Sequence, residues 1–365
     1  MSTVSTRPAA AGPSDDRADA LFAAIAGGDE YAAVAVVEAA VGEGVRPERI
    51  LQEIIAPAQR RIGTEWAAGR ITVGQEHAAT AISERAIAAL TGAPPGRRTS
   101  PPLGRVVVAC VDGEWHTMPA RLVAETLRLR GWHVDFLGAH VPARHLVAHL
   151  HATGPDAVAL SSSLSVRLPK AHATITACQA AGVAVLAGGR GFGRDGRYAL
   201  QLGADAWAAS ATEAADRLGR AWPPEVRRPH ETLAHLADDE YTLVVRARSR
   251  LVAETMAALP GVLPASRSYT PLQLDHTAED LGHITDHLAA ALYVDDAELF
   301  TDFLVWTARI LTARGVPATA LTVSLRLMAA PLRDFPRTLA LLDSGVAAIR
   351  RAEEATGPEG SANTA

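Results

Sequence analysis

Residues 112–119 form a segment whose side-chain types could bind a metal. It contains a carboxylate and an imidazole two residues apart, Glu114 and His116, with Trp115 between them and Thr117 after them. A neutral imidazole ligates a metal through one ring nitrogen, and a nearby carboxylate that accepts the other ring N–H fixes the tautomer and raises the basicity of the ligand. His116 is therefore well placed to ligate a metal ion.

Two further short segments could complete a ligand site with this loop. The run Ser161–Leu164, which contains Ser162 and Leu164, offers hydroxyls and a backbone able to hold a nucleotide tail. Gly188 and Gly189 lack side chains, so the backbone there permits the close approach of a bulky ligand.

Each of these segments follows a short apolar run that has the character of a buried parallel strand. The first run, Arg105–Cys110, is rich in β-branched residues and has no helical period. Such runs alternate with stretches of helical periodicity. Strands are predicted at 105–110, 133–137, 157–161 and 183–187, and helices at 120–130, 143–153 and 168–181. The alternation predicts a doubly wound, Rossmann-like α/β sheet, whose ligands bind at the carboxyl ends of the strands.

Helical periodicity dominates both regions outside this sheet. Before it, apolar residues recur at three- and four-residue steps, and glycine-containing breaks at 27–29, 42–44 and 68–70 indicate a four-helix bundle. After it, the chain is again helical, with breaks at 260–271, 315–317 and 330–331 and no strand pattern. The fold class predicted is multidomain α and α/β, with a C-terminal all-α domain.

The pattern divides the chain into three domains joined by linkers. The expected segments are a disordered lead-in (1–14), the bundle (15–92), a linker (93–103), the Rossmann-like domain (104–221), a second linker (222–231), the all-helical domain (232–355) and a tail (356–365).

Composition limits the functional classes. A formal net charge of -5 argues weakly against a nucleic-acid partner, and two cysteines cannot form a disulfide framework. No uninterrupted apolar run is long enough to span a membrane, and no signal-peptide pattern is visible at the N-terminus. We expect a cytoplasmic protein without a membrane or nucleic-acid partner.

The three ligand segments, taken together, resemble the cobalamin-binding fold of the methionine-synthase type. Glu114-x-His116, Ser162-x-Leu164 and Gly188-Gly189 are similar in order and spacing to its Asp-x-His-x-x-Gly, Ser-x-Leu and Gly-Gly signatures. The resemblance implies that His116 is the lower cobalt ligand and that the nucleotide tail enters a slot lined by the other two motifs. Glu114 replaces the usual Asp, and Pro119 stands where Gly is common.

A second motif, in the bundle, resembles the light-responsive, CarH-like cobalamin regulators. Trp66 is followed after nine residues by Glu76 and His77. The resemblance implies adenosylcobalamin, with Trp66 over the adenosyl group and Glu76 and His77 hydrogen-bonded to its adenosine. Ala67 stands where those repressors often carry a His that captures cobalt after photolysis. No winged-helix pattern precedes the bundle, so DNA repression is not expected.

The C-terminal region contains an unusual polar segment. At about 100° per residue, four of its side chains fall within a stripe roughly 60° wide beside an apolar face. The segment's candidate residues are Asp275, His276, Asp280, His283 and His287. Such a stripe could ligate a metal or haem, hydrogen-bond a tetrapyrrole, or face solvent.

The whole arrangement resembles the photocobilins, CarH-like sensors fused to a globin-like domain that binds a linear tetrapyrrole such as biliverdin. No cysteine lies in the C-terminal region, so a bilin would bind non-covalently; Tyr269, Tyr293, Trp306 and Arg246 are weaker pocket candidates. The resemblance implies a photoreceptor rather than an enzyme, which signals through domain rearrangement or light-dependent self-association to a downstream partner that the sequence does not identify. The alternatives are a methyl-carrying corrinoid protein, a haem-based sensor acting through His283 or His287, and a light-independent cobalamin-responsive module.

Overall fold

The computed structural model describes residues 13–91, 102–220, 222 and 233–356. The predicted lead-in as far as residue 12, most of both predicted linkers (92–101, 221 and 223–232) and the tail from 357 onwards lie outside the described residues.

The N-terminal domain is a helical bundle, as the apolar periodicity predicts. Its third helix consists of two α-helical segments, 47–49 and 56–67, joined without a break by a π-helical segment at Ile50–Ile55. Asp29 caps the second helix by accepting a hydrogen bond from the N–H of Ala32 (2.9 Å). The helices are α1 Pro13–Ala26, α2 Glu30–Gly42, α3 Pro47–Arg49, α4 Ala56–Ala67 and α5 Val73–Thr91. The chain turns close to the three predicted breaks.

The second domain is a five-stranded parallel sheet in the order β2-β1-β3-β4-β5, with helices on both faces. Its elements are β1 Arg105–Cys110, α6 Met118–Leu129, β2 His133–Gly138, α7 Ala143–Thr153, β3 Ala157–Ser161, α8 Leu168–Ala180, β4 Val185–Gly188, α9 Arg197–Gln201, β5 Ala206–Ala208 and α10 Ala211–Arg220. The predicted Rossmann-like sheet is confirmed. The strand order reverses between β1 and β3, and the crevice at this switch point is where such sheets bind ligands.

Two boundaries in this domain differ from the prediction for local reasons. Helix α6 begins at Met118, two residues early, because Pro119 is tolerated in a first helical turn, which needs no intrahelical N–H. Strand β4 begins at Val185 rather than 183, because the N–H of Val183 bonds the carbonyl of Cys178 (3.0 Å) and closes the end of α8.

The C-terminal region is all-helical, as predicted. Thr270 and Gln273 form a capping box at the start of α12. The helices are α11 Glu240–Val262, α12 Pro271–Val294, α13 Ala297–Ala313, α14 Ala318–Ala329 and α15 Pro336–Thr356. Sequence reasoning missed the break between α12 and α13, where Asp295 has a left-handed φ of 56° and Asp296 caps α13.

The Rossmann-like and C-terminal domains share one continuous apolar core, which joins residues such as Val107 to Phe300. Polar contacts extend this seam: Tyr198 donates to Asp296 (2.9 Å), and His172 Nδ1 lies 2.8 Å from the hydroxyl of Tyr293.

The bundle has a separate core, and it docks on helix α6. Met118 of α6 belongs to the bundle core, and Arg130, just beyond α6, pairs with Glu48 of α3 (2.6 Å). Within the part of the chain that the model covers, no helix combines the length and apolar character that crossing a bilayer requires.

Candidate functional site

His116 lies in the loop after β1, at the carboxyl edge of the sheet. Glu114 is fully buried, and its Oε1 accepts the backbone N–H of His116 (2.9 Å) and lies 2.5 Å from the ring Nδ1. The imidazole itself is 56% exposed. Since Nδ1 is engaged by the carboxylate, Nε2 is the ring nitrogen left for a ligand, which is the arrangement the sequence predicts.

Glu114 also holds the loop after β3. Its Oε2 accepts the N–H groups of Ser163 (2.7 Å) and Leu164 (3.0 Å), and the hydroxyl of Ser162 lies at 3.4 Å. One carboxylate therefore fixes the ligand loop and the Ser-x-Leu segment at the same edge of the sheet.

The ionisation of this pair follows from its contacts. Burial acts to raise the pKa of Glu114, but hydrogen bonds from the His116 ring, the His116 backbone and Ser163 outweigh it and lower that pKa to about 2. The hydrogen bond to Glu114 in turn raises the pKa of His116. The carboxylate is thus anionic, and it increases the electron density of the imidazole.

Gly188 and Gly189 pack against the serine loop. A Cβ at Gly189, whose φ is +98°, would lie 2.3 Å from the carbonyl oxygen of Ser162, so only glycine fits. The sequence predicted that a ligand approaches these glycines closely. In the structure, the backbone at Gly189 closely approaches the loop that contains Ser162. Gly191, which sequence reasoning missed, meets Leu164 in the same way at 2.9 Å. The glycine-rich run was its only signal.

Trp115 and Thr117, the two neighbours of His116 in the chain, contact different parts of the protein. The Trp115 side chain is 68% exposed and stacks on His140 (centroids 5.1 Å apart, planes 8° apart). The Thr117 hydroxyl donates to Glu84 of the bundle (3.1 Å). His140 was missed, although its position after β2, at the ligand edge of the sheet, was an available signal.

The bundle brings its motif to the same edge. Trp66 lies in the last turn of α4, and Glu76 and His77 lie near the start of α5, so the motif spans the short connection between the two helices. Glu76 accepts a hydrogen bond from Thr80 (3.1 Å), and its charge contributes to raising the pKa of His116 across the domain boundary. His77 is 67% exposed.

Trp66 also contacts the C-terminal domain. Its ring lies 6.4 Å from that of Trp306 and 5.7 Å from the guanidinium carbon of Arg314, which is positioned over the indole. The three domains therefore meet beside the predicted ligand site, a junction that no sequence pattern indicated.

The polar stripe of α12 divides into exposed and inward residues. Asp275, His276 and His283 are exposed, whereas Asp280 and His287 are partly buried. Burial raises the pKa of Asp280 and lowers that of His287 to about 4. The His287 ring stacks on Phe303 (3.5 Å between centroids, 5° between planes). Among the described residues, no three side chains of the metal-binding types converge to hold an ion, so a clustered metal site in the stripe is not formed.

Family models match both N-terminal domains. Residues 17–91 and residues 104–218 each match a B12 binding domain. The transcriptional repressor CarH of Myxococcus xanthus is 35% identical over 120 residues, which are 33% of this chain and 38% of the repressor. Trimethylamine corrinoid protein 2 of Methanosarcina mazei is 25% identical over 191 residues, 51% of this chain and 87% of that protein.

The coverage of these relatives differs. The chain spans less than half of the repressor's length, at 38%, but most of the corrinoid protein's. Among solved structures, the monomethylamine corrinoid protein of Methanosarcina barkeri is similar over 55% of this chain and 96% of its own, with a TM-score of 0.48 at 20% identity.

The residues at the sheet edge fit a cobalamin by their chemistry. Such a ligand needs one nitrogen below its metal and polar groups for its amides and nucleotide tail. His116 offers one nitrogen, and Arg167, beside Gly113, has a buried Nε with no hydrogen-bond partner in the part of the chain described. A buried donor without a partner is costly, so a ligand acceptor at this point would be stabilising.

Proposed function

We propose that this protein, whose first two domains match B12 binding domains, is a light sensor. It would bind adenosylcobalamin and, in its C-terminal domain, a linear tetrapyrrole such as biliverdin. The observation that carries the cobalamin part is the pairing of His116 with buried Glu114 at the carboxyl edge of the sheet, where the charge of Glu76 from the bundle also raises the pKa of His116. The 35% identity to a stretch of CarH supports the light-responsive assignment over a general corrinoid function.

Each residue has a definite task in this proposal. Bound adenosylcobalamin supplies a cobalt–carbon bond that visible light breaks. Glu114 holds Nδ1 of His116, which leaves Nε2 as the nitrogen that would ligate the cobalt. Trp66 would cover the adenosyl group and exclude water, and Glu76 and His77 would hydrogen-bond its adenosine.

Signalling follows from how the domains are joined. The bundle has its own core and meets the Rossmann-like domain through α6, whereas the Rossmann-like and C-terminal domains share a core. The bundle is therefore the element that can shift when its contacts with the upper ligand change, which makes it a two-state switch. A light-dependent change in self-association is one form of output, and no catalytic step is needed.

The tetrapyrrole part rests on the inner face of α12. Asp280 offers a partly buried carboxylate to pyrrole N–H groups, and His287 and Phe303 offer a flat aromatic surface. Arg314, which interacts with Asp280, offers a cation for a propionate. Because both cysteines of the chain, Cys110 and Cys178, lie in the Rossmann-like domain, binding would be non-covalent.

A second candidate, a methyl-carrying corrinoid protein, is favoured by the coverage of 87% of a trimethylamine corrinoid protein. In that case the upper face must open to a partner enzyme, methylcobalamin is the bound form, and cobalt undergoes redox cycling.

The test is the absorbance of the purified protein loaded with adenosylcobalamin and then biliverdin, before and after green illumination. We expect a corrin spectrum that changes with light and a separate red-absorbing bilin band. His116→Ala should lose the lower-ligand signature and bind at least about tenfold more weakly. His151→Ala, an exposed histidine of α7, is the matched control and should match the wild type.

The alternatives give different spectra. A light-insensitive corrin spectrum without a bilin band contradicts the sensor and favours the carrier. A Soret band in the purified protein favours haem bound through His283 or His287.

A further inference from the structure

Helix α13 contacts both the Rossmann-like domain and the bundle, two domains that also meet each other around helix α6. Near its N-terminus, Asp296 accepts a hydrogen bond from Tyr198 (2.9 Å) and Glu298 pairs with Arg197 (2.8 Å), both on α9 of the Rossmann-like domain. Further along the helix and just beyond its end, Trp306 and Arg314 contact Trp66 of the bundle. Its 17 residues span about 25 Å, so α13 reaches from the sheet domain to the bundle as one continuous helix.

Trp66 obtains its aromatic and cation–π contacts from α13 and from the residue that follows it. Within the described residues, its ring partners are Trp306 and Arg314, and both come from the C-terminal domain. The next two residues of the bundle, Ala67 and Ala68, are too small to hold an indole, and Gly69 follows with a left-handed φ of +71°. The aromatic and cation–π contacts of Trp66 in the described part of the chain thus come from outside its own domain.

The contacts around Trp306 make it a fixed support. Its ring also lies 6.3 Å from that of Phe303, which stacks on His287 of α12. The outer part of Trp306 is open, with 46% of the residue exposed, so replacing it should not remove a core side chain.

We propose that Trp306 and Arg314 are positioning residues for the upper face of the cobalamin site, which hold Trp66 in place and thereby set the preference for an adenosyl over a small upper ligand. The inference rests on the proposed function, because it takes Trp66 as the cover of that face. It assigns to the C-terminal domain a role at the cobalamin site that is independent of any chromophore of its own.

The test compares binding of adenosylcobalamin and hydroxocobalamin in the dark to the full chain and to Trp306→Leu and Arg314→Gln. We expect each variant to bind adenosylcobalamin roughly tenfold more weakly, since an aromatic pair or a cation–π contact is lost. Hydroxocobalamin, whose upper ligand is too small to reach Trp66, should bind with less than a twofold change. Arg309→Gln, an exposed arginine of the same helix, is the control and should leave both affinities unchanged.

A merely structural role for Trp306 would weaken both cobalamins equally, and an unchanged affinity ratio in both variants would overturn the proposal. A wild-type protein with no adenosyl preference would instead contradict the proposed function. The contact between Trp66 and Trp306 is also tested in the cofactor-free protein. In a double-mutant cycle of Trp66→Leu and Trp306→Leu, the losses of unfolding free energy should be non-additive if the two rings stabilise each other. Additive losses would overturn the proposal that Trp306 holds Trp66 in place.

Discussion

Glu114 links the two loops that form the switch point of the sheet. It lies after β1, but three of its acceptor contacts are with the loop after β3, at Ser162, Ser163 and Leu164. A Glu in place of the more usual Asp retains the carboxylate, and its longer side chain reaches both His116 and the serine loop. The same carboxylate that orients His116 therefore also holds the two loops together.

Replacement of Glu114 by Gln should destabilise the protein by about 2–4 kcal/mol and weaken cobalamin binding. An amide has one oxygen in place of two, so either the N–H of His116 or the N–H groups of Ser163 and Leu164 lose their acceptor, depending on how the amide is oriented. Equilibrium unfolding of the cofactor-free protein measures the loss. Glu38→Gln, an exposed carboxyl on the bundle, is the control and should change stability by less than about 0.5 kcal/mol.

The pH dependence gives a second readout of the same variant. Because the folded pKa of Glu114 is lowered from 4.5 to about 2, its stabilising effect is complete above pH 4.5 and is lost as the pH falls through that interval. The difference in unfolding free energy between wild type and Glu114→Gln should therefore shrink between pH 4.5 and 2. Parallel profiles would show that this carboxylate is not specifically stabilised in the folded state.

At the scale of elements, the site depends on how closely the loops after β3 and β4 pack. The backbone at Gly189 approaches Ser162 so closely that no side chain can stand between them. This contact fixes the floor of the crevice before any ligand enters.

Gly189→Ala should shift the serine loop and weaken cobalamin binding by at least about tenfold, with a loss of stability of about 2–4 kcal/mol. Gly154→Ala is the matched control, because Gly154 also has a positive φ (+56°) but has open space around its Cβ position. That variant should lose only about 1 kcal/mol and bind normally. Equal effects of the two variants on binding would show that loop packing does not shape the site.

At the scale of the whole molecule, two of the three domains share one hydrophobic core. The core of the sheet domain continues into the C-terminal helices, and hydrogen bonds from α8 and α9 close the seam. The bundle has a separate core.

We therefore expect the Rossmann-like and C-terminal domains to unfold in one calorimetric transition. Tyr293→Phe, which removes the hydroxyl that contacts His172, should lower the midpoint of that shared transition by about 2–4 °C. Hydrogen exchange should report the loss in both domains. Tyr31→Phe, 81% exposed on the bundle, should leave the transition unchanged. Separate transitions for the two domains would contradict a shared core.

The sequence alone determined the helical bundle, the parallel sheet and the His116 loop. Buried parallel strands and amphipathic helices have different apolar periods, and residues after successive strands must converge at one edge. The Glu114–His116 pairing was predictable because it is local, with one residue between the partners. Ser162 and Gly189 followed from the strand ends.

Only the tertiary structure decided which stripe residues of α12 face inward and what touches Trp66. His276 and His287 share one helical face in sequence, but the first turns of α12 extend beyond their neighbours, while the later turns pack against α13. The contact of Trp66 with Trp306 joins residues far apart in the chain, and no periodicity encodes it. Such contacts depend on how separately folded surfaces dock, which is set by the summed packing of all three domains rather than by any local pattern.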